Sequence, residues 1–284
     1  MPQTRPDPPQ PSRAQRTDPA PFRVMGIVNV TPDSFSDGGL WLDPAAAIAH
    51  GRDLVTEGAA ILDVGGESTR PGAEPVSADE ELRRVVPVIE GLRDTAAQLS
   101  IDTTKRAVAE AALSAGATLV NDVSALRFDP TLAGLCADAG CDVCLMHMLG
   151  EPRTMQRDPR YDDVVDDVKA FLHDRLTFAT DEGIAEARIL LDPGIGFGKT
   201  VEHNLELLRR LDELVALGRP VVIGTSRKSF LGRLTGIEEA SGRVAGTVAT
   251  NVLAYERGAR VFRVHDVAPT VEALTVAAAT VPAR

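Results

Sequence analysis

Eight short apolar runs recur along the chain with longer amphipathic segments between them, and this alternation constrains the fold most. The runs are apolar almost throughout, as expected for strands that are buried on both faces. Helical patterns such as 201–217 separate them. The pattern predicts an α/β fold, a single closed (β/α)8 TIM barrel, with a doubly wound open sheet as the alternative. The predicted strands are 24–30, 60–65, 98–102, 118–122, 142–147, 188–192, 220–224 and 261–265.

The first 21 residues differ in composition from the rest of the chain. Residues 1–21 contain seven prolines and almost no large apolar side chain, so they bury too little surface to offset the entropy of ordering. Residues 22–284 are close to the roughly 250 residues typical of one barrel, and they contain no obvious linker. We therefore predict a disordered Pro-rich tail, 1–21, followed by a single barrel domain, 22–284.

Charge and cysteine content limit the partners. Lys and Arg number 30 and Asp and Glu number 41, a net charge of −11 that argues against a nucleic-acid or anionic-membrane surface. No apolar run approaches the roughly 18 residues needed to span a bilayer, and the N-terminus lacks a hydrophobic signal core. The three cysteines are too few for a disulfide framework in a chain of this length. We expect a cytoplasmic protein with small-molecule ligands.

Two short motifs resemble common sites but lack a feature that those sites require. Cys141 and Cys144 form a C-x-x-C, yet three positions along a predicted strand place the side chains on opposite faces, which opposes redox or metal chemistry. The segment DPGIGFGKT (192–200) is close to a phosphate-binding P-loop, but Pro193 stands where that motif requires glycine. We interpret 192–200 as a tight loop that lets its backbone and Phe197 approach a ligand.

Polar residues follow nearly every predicted strand, where a barrel or an open parallel sheet places its ligand site. One set offers carboxylates, an amide and an ammonium, which suit the edge of a planar nitrogen heterocycle; its members are Asp102, Asn121, Asp192 and Lys228. A second set offers guanidinium forks, an imidazole and neutral oxygens, which suit a phosphate or diphosphate with a divalent metal on the Asn29 oxygen; its members are Asn29, Thr69, Arg70, Arg263 and His265.

Two loops rich in Gly, Pro, Ser and Asp follow the first two strands, at 31–39 and 65–73. The first is longer than a turn requires, and it precedes Asp43 and Pro44, a suitable helix N-cap and first helical residue. We predict that it is a mobile lid, since long βα loops usually carry function. The run TSRKSFLG (225–232) places Lys228 at a predicted helix start, where free N–H groups attract a carboxylate.

These residues carry a resemblance to the dihydropteroate synthase family that covers the whole chain after the tail. The matching blocks include MGIVNVTPDSFSDGG (25–39), DVGGESTRPGA (63–73), LLDPGIGFGKT (190–200) and RVHD (263–266). The resemblance implies a barrel, usually a homodimer. It also implies the condensation of 6-hydroxymethyl-7,8-dihydropterin diphosphate with 4-aminobenzoate to dihydropteroate and diphosphate, with Mg²⁺.

The resemblance also implies a role for each matching residue. Asp102, Lys228 and Asp192 would be catalytic, and the pterin would be held by Asp102, Asn121, Met146, Asp192 and Lys228. Asn29 would meet Mg²⁺, and the diphosphate would be held by Asn29, Thr69, Arg70, Arg263 and His265. The aminobenzoate would be framed by Phe35, Thr69, Pro71, Phe197, Lys228 and Ser229.

The charges of these groups suggest a dissociative, cation-like transition state, in which the cations neutralise the leaving diphosphate and the carboxylates stabilise the dihydropterin cation. Three alternatives stay open at this stage. They are another pterin-binding barrel such as a methyltetrahydrofolate methyltransferase, a non-catalytic pterin-binding paralogue, and a sulfonamide-insensitive form of the synthase.

Overall fold

The computed structural model describes residues 21–31, 43–70 and 72–280. Eight strands pair in parallel in one sheet, in the order β6-β5-β4-β3-β2-β1-β8-β7. The strands are β1 (Arg23–Asn29), β2 (Ile61–Gly65), β3 (Gln98–Asp102), β4 (Leu119–Asp122), β5 (Asp142–Met146), β6 (Ile189–Asp192), β7 (Val222–Ile223) and β8 (Val261–Val264).

The two ends of this sheet, β6 and β7, meet and nearly close a barrel. Leu191 forms a parallel bridge with Val221, and its N–H donates to the Pro220 carbonyl oxygen at 3.0 Å. The closed barrel is confirmed and the open sheet is excluded. The seventh strand is shorter than the predicted 220–224, because Pro220 has no N–H to donate and the chain turns into a loop after Ile223.

Helices lie between the strands, and their starts follow local signals. The Asp43 side chain accepts from the Ala45 N–H at 2.9 Å, with Pro44 at the first helical position, so the predicted N-cap pair is confirmed. The helical pattern at 201–217 forms two helices that meet at Arg210, and the Arg210 guanidinium donates to Asp163, the N-cap residue of the preceding helix. No helix in the described ranges is long and apolar enough to cross a membrane. The helices are α1 (Pro44–Thr56), α2 (Ala78–Leu92), α3 (Arg106–Ala115), α4 (Thr131–Ala139), α5 (Val164–Asp181), α6 (Val201–Arg209), α7 (Leu211–Val215), α8 (Ser229–Thr235), α9 (Val244–Glu256) and α10 (Val267–Thr280).

Buried apolar side chains of the described residues form three separate clusters, and the two largest are the cores outside and inside the barrel. The larger one lies between the outer faces of the strands and the helices, and it includes Cys141. Cys144 belongs instead to the inner core, which confirms that the two cysteines occupy opposite faces of the strand. The inner core, here called the barrel plug, consists of Met25, Ile61, Leu119, Cys144, Leu190, Val222 and Val261.

The barrel interior becomes polar from the plug toward the carboxyl ends of the strands. Asp102 lies beside Asn121 in the β3–β4 register, and Met146 lies beside Asp192 in the β5–β6 register. Because side chains of a strand alternate between its two faces, Asp63 shares the inward face of β2 with Ile61 of the plug. The eight strands therefore bring polar side chains from distant parts of the sequence to one end of the barrel.

Candidate active site

A buried carboxylate, Asp63 of β2, lies at the centre of the polar interior. Its Oδ1 accepts from the Ser100 hydroxyl at 2.5 Å. Its Oδ2 accepts from Asn121 Nδ2 at 3.0 Å and from Arg263 Nε at 2.6 Å. Arg263 Nη2 donates to Asp102 Oδ2 at 2.7 Å. These five residues, here called the Asp63 network, join β2, β3, β4 and β8 across the barrel.

Burial changes the charge states in this network. It raises the pKa of Asp102 to about 8, although the positive charge of Arg263 acts in the opposite direction. Burial also acts to lower the pKa of Arg263, but the carboxylates of Asp63 and Asp102 outweigh it and hold that pKa above its ordinary value. Arg263 therefore stays a cation, whereas Asp102 can hold a proton near neutral pH in the ligand-free protein.

Asp192 and Lys228 form the opposite side of the site. Asp192 Oδ1 accepts from the Gly194 N–H at 2.7 Å, and burial raises its pKa. Lys228 is the N-cap residue of α8; its Nζ donates to the Ile195 carbonyl oxygen and lies 4.7 Å from the centre of the Phe197 ring. Burial lowers the pKa of Lys228 to about 8, with Asp192 opposing the change. The Lys228 side chain can therefore exchange between its ammonium and amine forms close to neutral pH.

The loop between β6 and α6 is tightly folded against the end of β5. Gly194 has φ +66°, and a Cβ atom built on it would lie 1.8 Å from the His147 carbonyl oxygen, so only glycine fits there. Lys199 is buried and contacts His147 Nδ1 at 2.8 Å and the Phe197 carbonyl oxygen at 3.1 Å. These contacts support the prediction of a tight loop that presents Phe197.

A cationic side of the site lies around His265. The backbone N–H of His265 donates to the Ser226 hydroxyl oxygen at 3.1 Å, and the ring Nδ1 of His265 lies 2.9 Å from the same oxygen. Burial lowers the pKa of His265 to about 3, and the positive charges of Arg263, Arg227 and Arg70 act in the same direction. At neutral pH the imidazole is neutral in the ligand-free protein.

This arrangement occurs in a chain with many relatives of known activity. A model of the family described as pterin binding enzymes matches residues 25–265. The chain is 45% identical over 262 residues to the dihydropteroate synthase of Escherichia coli, covering 92% of each protein. The chain belongs to the dihydropteroate synthase family. This agrees with the resemblance that the sequence blocks indicated.

Solved structures of the dihydropteroate synthase family show the same fold. A structure from Xanthomonas albilineans, described with 4-aminobenzoic acid, is 54% identical, has a TM-score of 0.86 and covers 92% of this chain and 94% of its own. A second structure of that organism's enzyme, described in complex with 7,8-dihydropteroate, has a TM-score of 0.82 at 51% identity and covers 92% of this chain and 95% of its own. Both likenesses extend over nearly the whole barrel.

The structure brings most of the expected site residues of this family member to one end of the barrel. Asp102 and Asn121 share the Asp63 network, and Met146 packs in one apolar cluster with Phe197. Arg263, expected near the diphosphate, contacts Asp63 and Asp102. Asn29 ends β1, and Thr69, Arg70 and Ser229 are partly or fully exposed. Phe35, Pro71, residues 1–20 of the predicted tail and most of the predicted lid 31–39 lie outside the described residues.

Sequence reasoning missed two functional candidates, Asp63 and Lys199. Asp63 interrupts the apolar run AILDVG, just as Arg263 interrupts VFRVH. An acidic and a basic residue inside two buried strands are a signal for a buried ion pair, because a lone buried charge is too unfavourable. Lys199 has no comparable signal, since a lysine in a polar loop is normally solvated.

Proposed function

We infer that this protein condenses 6-hydroxymethyl-7,8-dihydropterin diphosphate with 4-aminobenzoate to give 7,8-dihydropteroate and diphosphate. The observation that carries the inference is the buried set of carboxylate, amide and ammonium groups at the carboxyl end of the barrel, in a chain whose relatives catalyse this reaction. The solved relatives described with 4-aminobenzoic acid and with 7,8-dihydropteroate support the choice of substrate and product.

The dihydropterin is proposed to bind against Asp102, Asn121, Asp192 and Lys228. Their side chains are buried or partly buried and offer both donors and acceptors, which the polar edge of a pterin requires. Met146 is 4% exposed and supplies an apolar surface for the ring.

The diphosphate is proposed to bind beside Asn29, Thr69, Arg70 and His265, with Arg263 between this group and the pterin. Arg70 is exposed, so its guanidinium is free of close packing and can turn toward an arriving anion. His265 is neutral before binding, but two negative phosphates beside it favour its protonated form. This side of the site therefore offers the diphosphate a cationic Arg70 and an imidazole whose protonation the diphosphate favours.

Mg²⁺ is proposed to bind with the diphosphate and not to the protein alone. Among residues 21–31, 43–70 and 72–280, no group of three or more His, Cys, Asp or Glu side chains could hold a metal ion. The Asn29 amide oxygen is a hard ligand that suits Mg²⁺, which commonly takes one or two protein oxygens with phosphate oxygens and water. When bound, Mg²⁺ would supply charge neutralisation for the leaving diphosphate.

The aminobenzoate is proposed to stack near Phe197, close to Lys228 and Ser229, and to be enclosed by the loops that carry Phe35, Thr69 and Pro71. Lys228 lies 4.7 Å from the Phe197 ring centre, so one ammonium reaches both the pterin group and the aminobenzoate group. The short distance between the Lys228 ammonium and the Phe197 ring also favours the charged form of this lysine.

The charge balance around the pterin favours a dissociative reaction. Three carboxyl groups, Asp63, Asp102 and Asp192, lie around two cations, Arg263 and Lys228, and a positive charge that develops beside Asp102 lowers its pKa, so that Asp102 is ionised as the reaction proceeds. An excess of buried negative charge stabilises positive charge on the dihydropterin as the bond to diphosphate breaks. The arylamine nitrogen then attacks the cationic carbon and afterwards loses a proton. Asp102, Asp192 and Lys228 are the proposed catalytic groups.

We also propose that the protein is a homodimer. Exposed apolar side chains occur on consecutive outer elements, with Leu234 of α8, Leu253 of α9 and Val276 of α10 each about half exposed or more. Apolar side chains that are exposed on neighbouring helices suit an interface between two copies of the chain. Light scattering of the purified chain should give twice its 30.2 kDa mass, and a monomer mass would contradict the proposal.

The proposed reaction is tested by incubating purified protein with dihydropterin diphosphate, 4-aminobenzoate and Mg²⁺. Diphosphate and dihydropteroate should both form, and the formation of each should require both substrates. Pterin binding without product would favour a non-catalytic pterin-binding protein. The absence of both binding and product would contradict the proposed function.

A further inference from the structure

Asp63 makes an unusually complete set of hydrogen bonds for a side chain that has no solvent exposure. Ser100, Asn121 and Arg263 donate to it from three different strands, at 2.5, 3.0 and 2.6 Å. A carboxylate can only accept, so each partner must turn a donor toward it. The orientation of these side chains is thus dictated by Asp63 before any ligand arrives.

The effect on Asn121 is directional. Its amide carries two donors on nitrogen and one acceptor oxygen, which are similar in size and can exchange places by rotation. Placing the oxygen against Asp63 would bring two acceptors together, so the nitrogen faces Asp63, as the 3.0 Å contact shows. The amide oxygen and the second N–H are then left for a ligand in a defined arrangement.

The effect on Arg263 is to fix the plane of its guanidinium. Nε donates to Asp63 and Nη2 donates to Asp102, at 2.6 and 2.7 Å. Two carboxylates from adjacent strands hold neighbouring edges of the group, which removes its rotational freedom. A planar cation in a fixed position can lie parallel to a planar ligand without a loss of side-chain entropy on binding.

We propose that Asp63 is a positioning residue for the heterocycle site: it sets the amide orientation of Asn121 and the plane of Arg263, and thereby the affinity for the dihydropterin. This inference rests on the proposed function. Asp63 itself lies between these two side chains and the barrel plug, and it acts through them and not through contact with the ligand.

The test is the substitution Asp63→Asn, which keeps the shape of the side chain but replaces an acceptor by a donor. Asn121 can then rotate, and Arg263 loses the carboxylate that accepts from its Nε. We expect the KM for dihydropterin diphosphate to rise by about tenfold or more, the order expected for losing an oriented charged contact, with a lower kcat. The KM for 4-aminobenzoate should change by less than about twofold, because Asp63 does not contact Phe197 or Ser229.

The matched control is Ser100→Ala, which removes a different donor from the same carboxylate. Ser100 lies beside Leu119 of the plug and its hydroxyl contacts Asp63, so its loss leaves Asn121 and Arg263 oriented. Its pterin KM should stay within about threefold of the wild type. An equal rise in the pterin KM of both variants would show that any damage to the Asp63 network has the same effect. That result would overturn the proposed role of Asp63 in orienting Asn121 and Arg263.

Two further outcomes are informative. If Asp63→Asn does not fold, as judged by circular dichroism, the variant Asp63→Ser takes its place, since the smaller side chain leaves room for water. Its pterin KM is then compared with that of the wild type. Failure of both variants to fold would overturn the inference in favour of a purely structural role. If the wild type forms no product, the proposed function fails. An active wild type with an unchanged Asp63→Asn pterin KM would refute only the role of Asp63.

Discussion

The two ends of the barrel carry similar polar side chains in very different surroundings. At the amino end, Arg23 donates to Gln98 at 3.2 Å, and Asp142 accepts from Gln98 at 2.8 Å and from Arg188 at 3.2 Å. The side chains of Arg188 and Asp142 are 51% and 24% exposed. At the carboxyl end, the ion pairs of Arg263 involve carboxylates that are 0% and 8% exposed.

Burial explains why only one end is suited to chemistry. Exposed ion pairs are screened by water and contribute little, whereas buried charges interact strongly and have displaced pKa values. At the carboxyl end, Asp102 and Lys228 both have a pKa of about 8, and His265 has a pKa of about 3. The same residue types can therefore close the bottom of a barrel or build a reactive site at its top, depending on solvent access.

The largest expected effect comes from removing a buried charge at the carboxyl end. Asp102→Asn keeps the size of the side chain but removes the negative charge that faces the developing dihydropterin cation. The kcat should fall by more than tenfold, toward the roughly 10²-fold cost of losing one preorganised group. Single-turnover kinetics would measure the chemical step directly, and a normal rate in a folded variant would contradict the assigned role.

An intermediate effect should appear in acid, through His147. Burial lowers the pKa of His147 to about 2, with Lys199 and Arg127 acting in the same direction, whereas an unfolded histidine has a pKa of about 6.5. Below pH 6.5 the unfolded chain takes up a proton that the folded protein does not. Stability from this group is therefore complete above pH 6.5 and is lost as the pH falls, by about 2 kcal/mol at pH 5.

The measurement is the difference in unfolding free energy between pH 7 and pH 5, from urea titrations. His147→Gln should reduce this difference relative to the wild type. His173→Gln is the control, since the His173 side chain is 66% exposed on α5 and should leave the difference unchanged. Equal pH dependence in all three proteins would show that His147 does not resist protonation.

The smallest effect is expected at the amino end. Arg188→Ala removes an exposed ion pair with Asp142, and the free energy of unfolding should change by no more than about 0.5 kcal/mol. Turnover should be unchanged, because the barrel plug separates this end from the site. A loss of activity comparable to that of Asp102→Asn would remove the functional contrast between the two ends.

The sequence predicted the barrel because each strand carries its own signal. Continuous apolar runs identified all eight strands, and seven of them agree with the structure to within one residue at each end. The seventh strand is shorter than predicted because pairing across the closing seam depends on Pro220 and on a distant strand. The helical pattern at 201–217 did not reveal that the chain forms two helices that meet at Arg210.

The strand-end rule also located the polar residues of the site, but it could not state which of them touch. Arg263 was expected near the diphosphate from its residue type, its place at the end of a strand and the family resemblance. Its contacts with Asp63 and Asp102 join positions that are 200 and 161 residues apart. Spacing along the chain contains no information on such pairs, which depend on strand order and register.

The sequence by itself determined the fold class, the end of the barrel where the site lies and the chemical types that it contains, because these follow from local hydrophobicity and from the direction of parallel strands. The tertiary structure alone decided which carboxylate orients Asn121 and Arg263 and which ionisable groups lose their ordinary pKa. Both depend on distance and on burial, and these arise only when strands from across the whole chain close around a common interior.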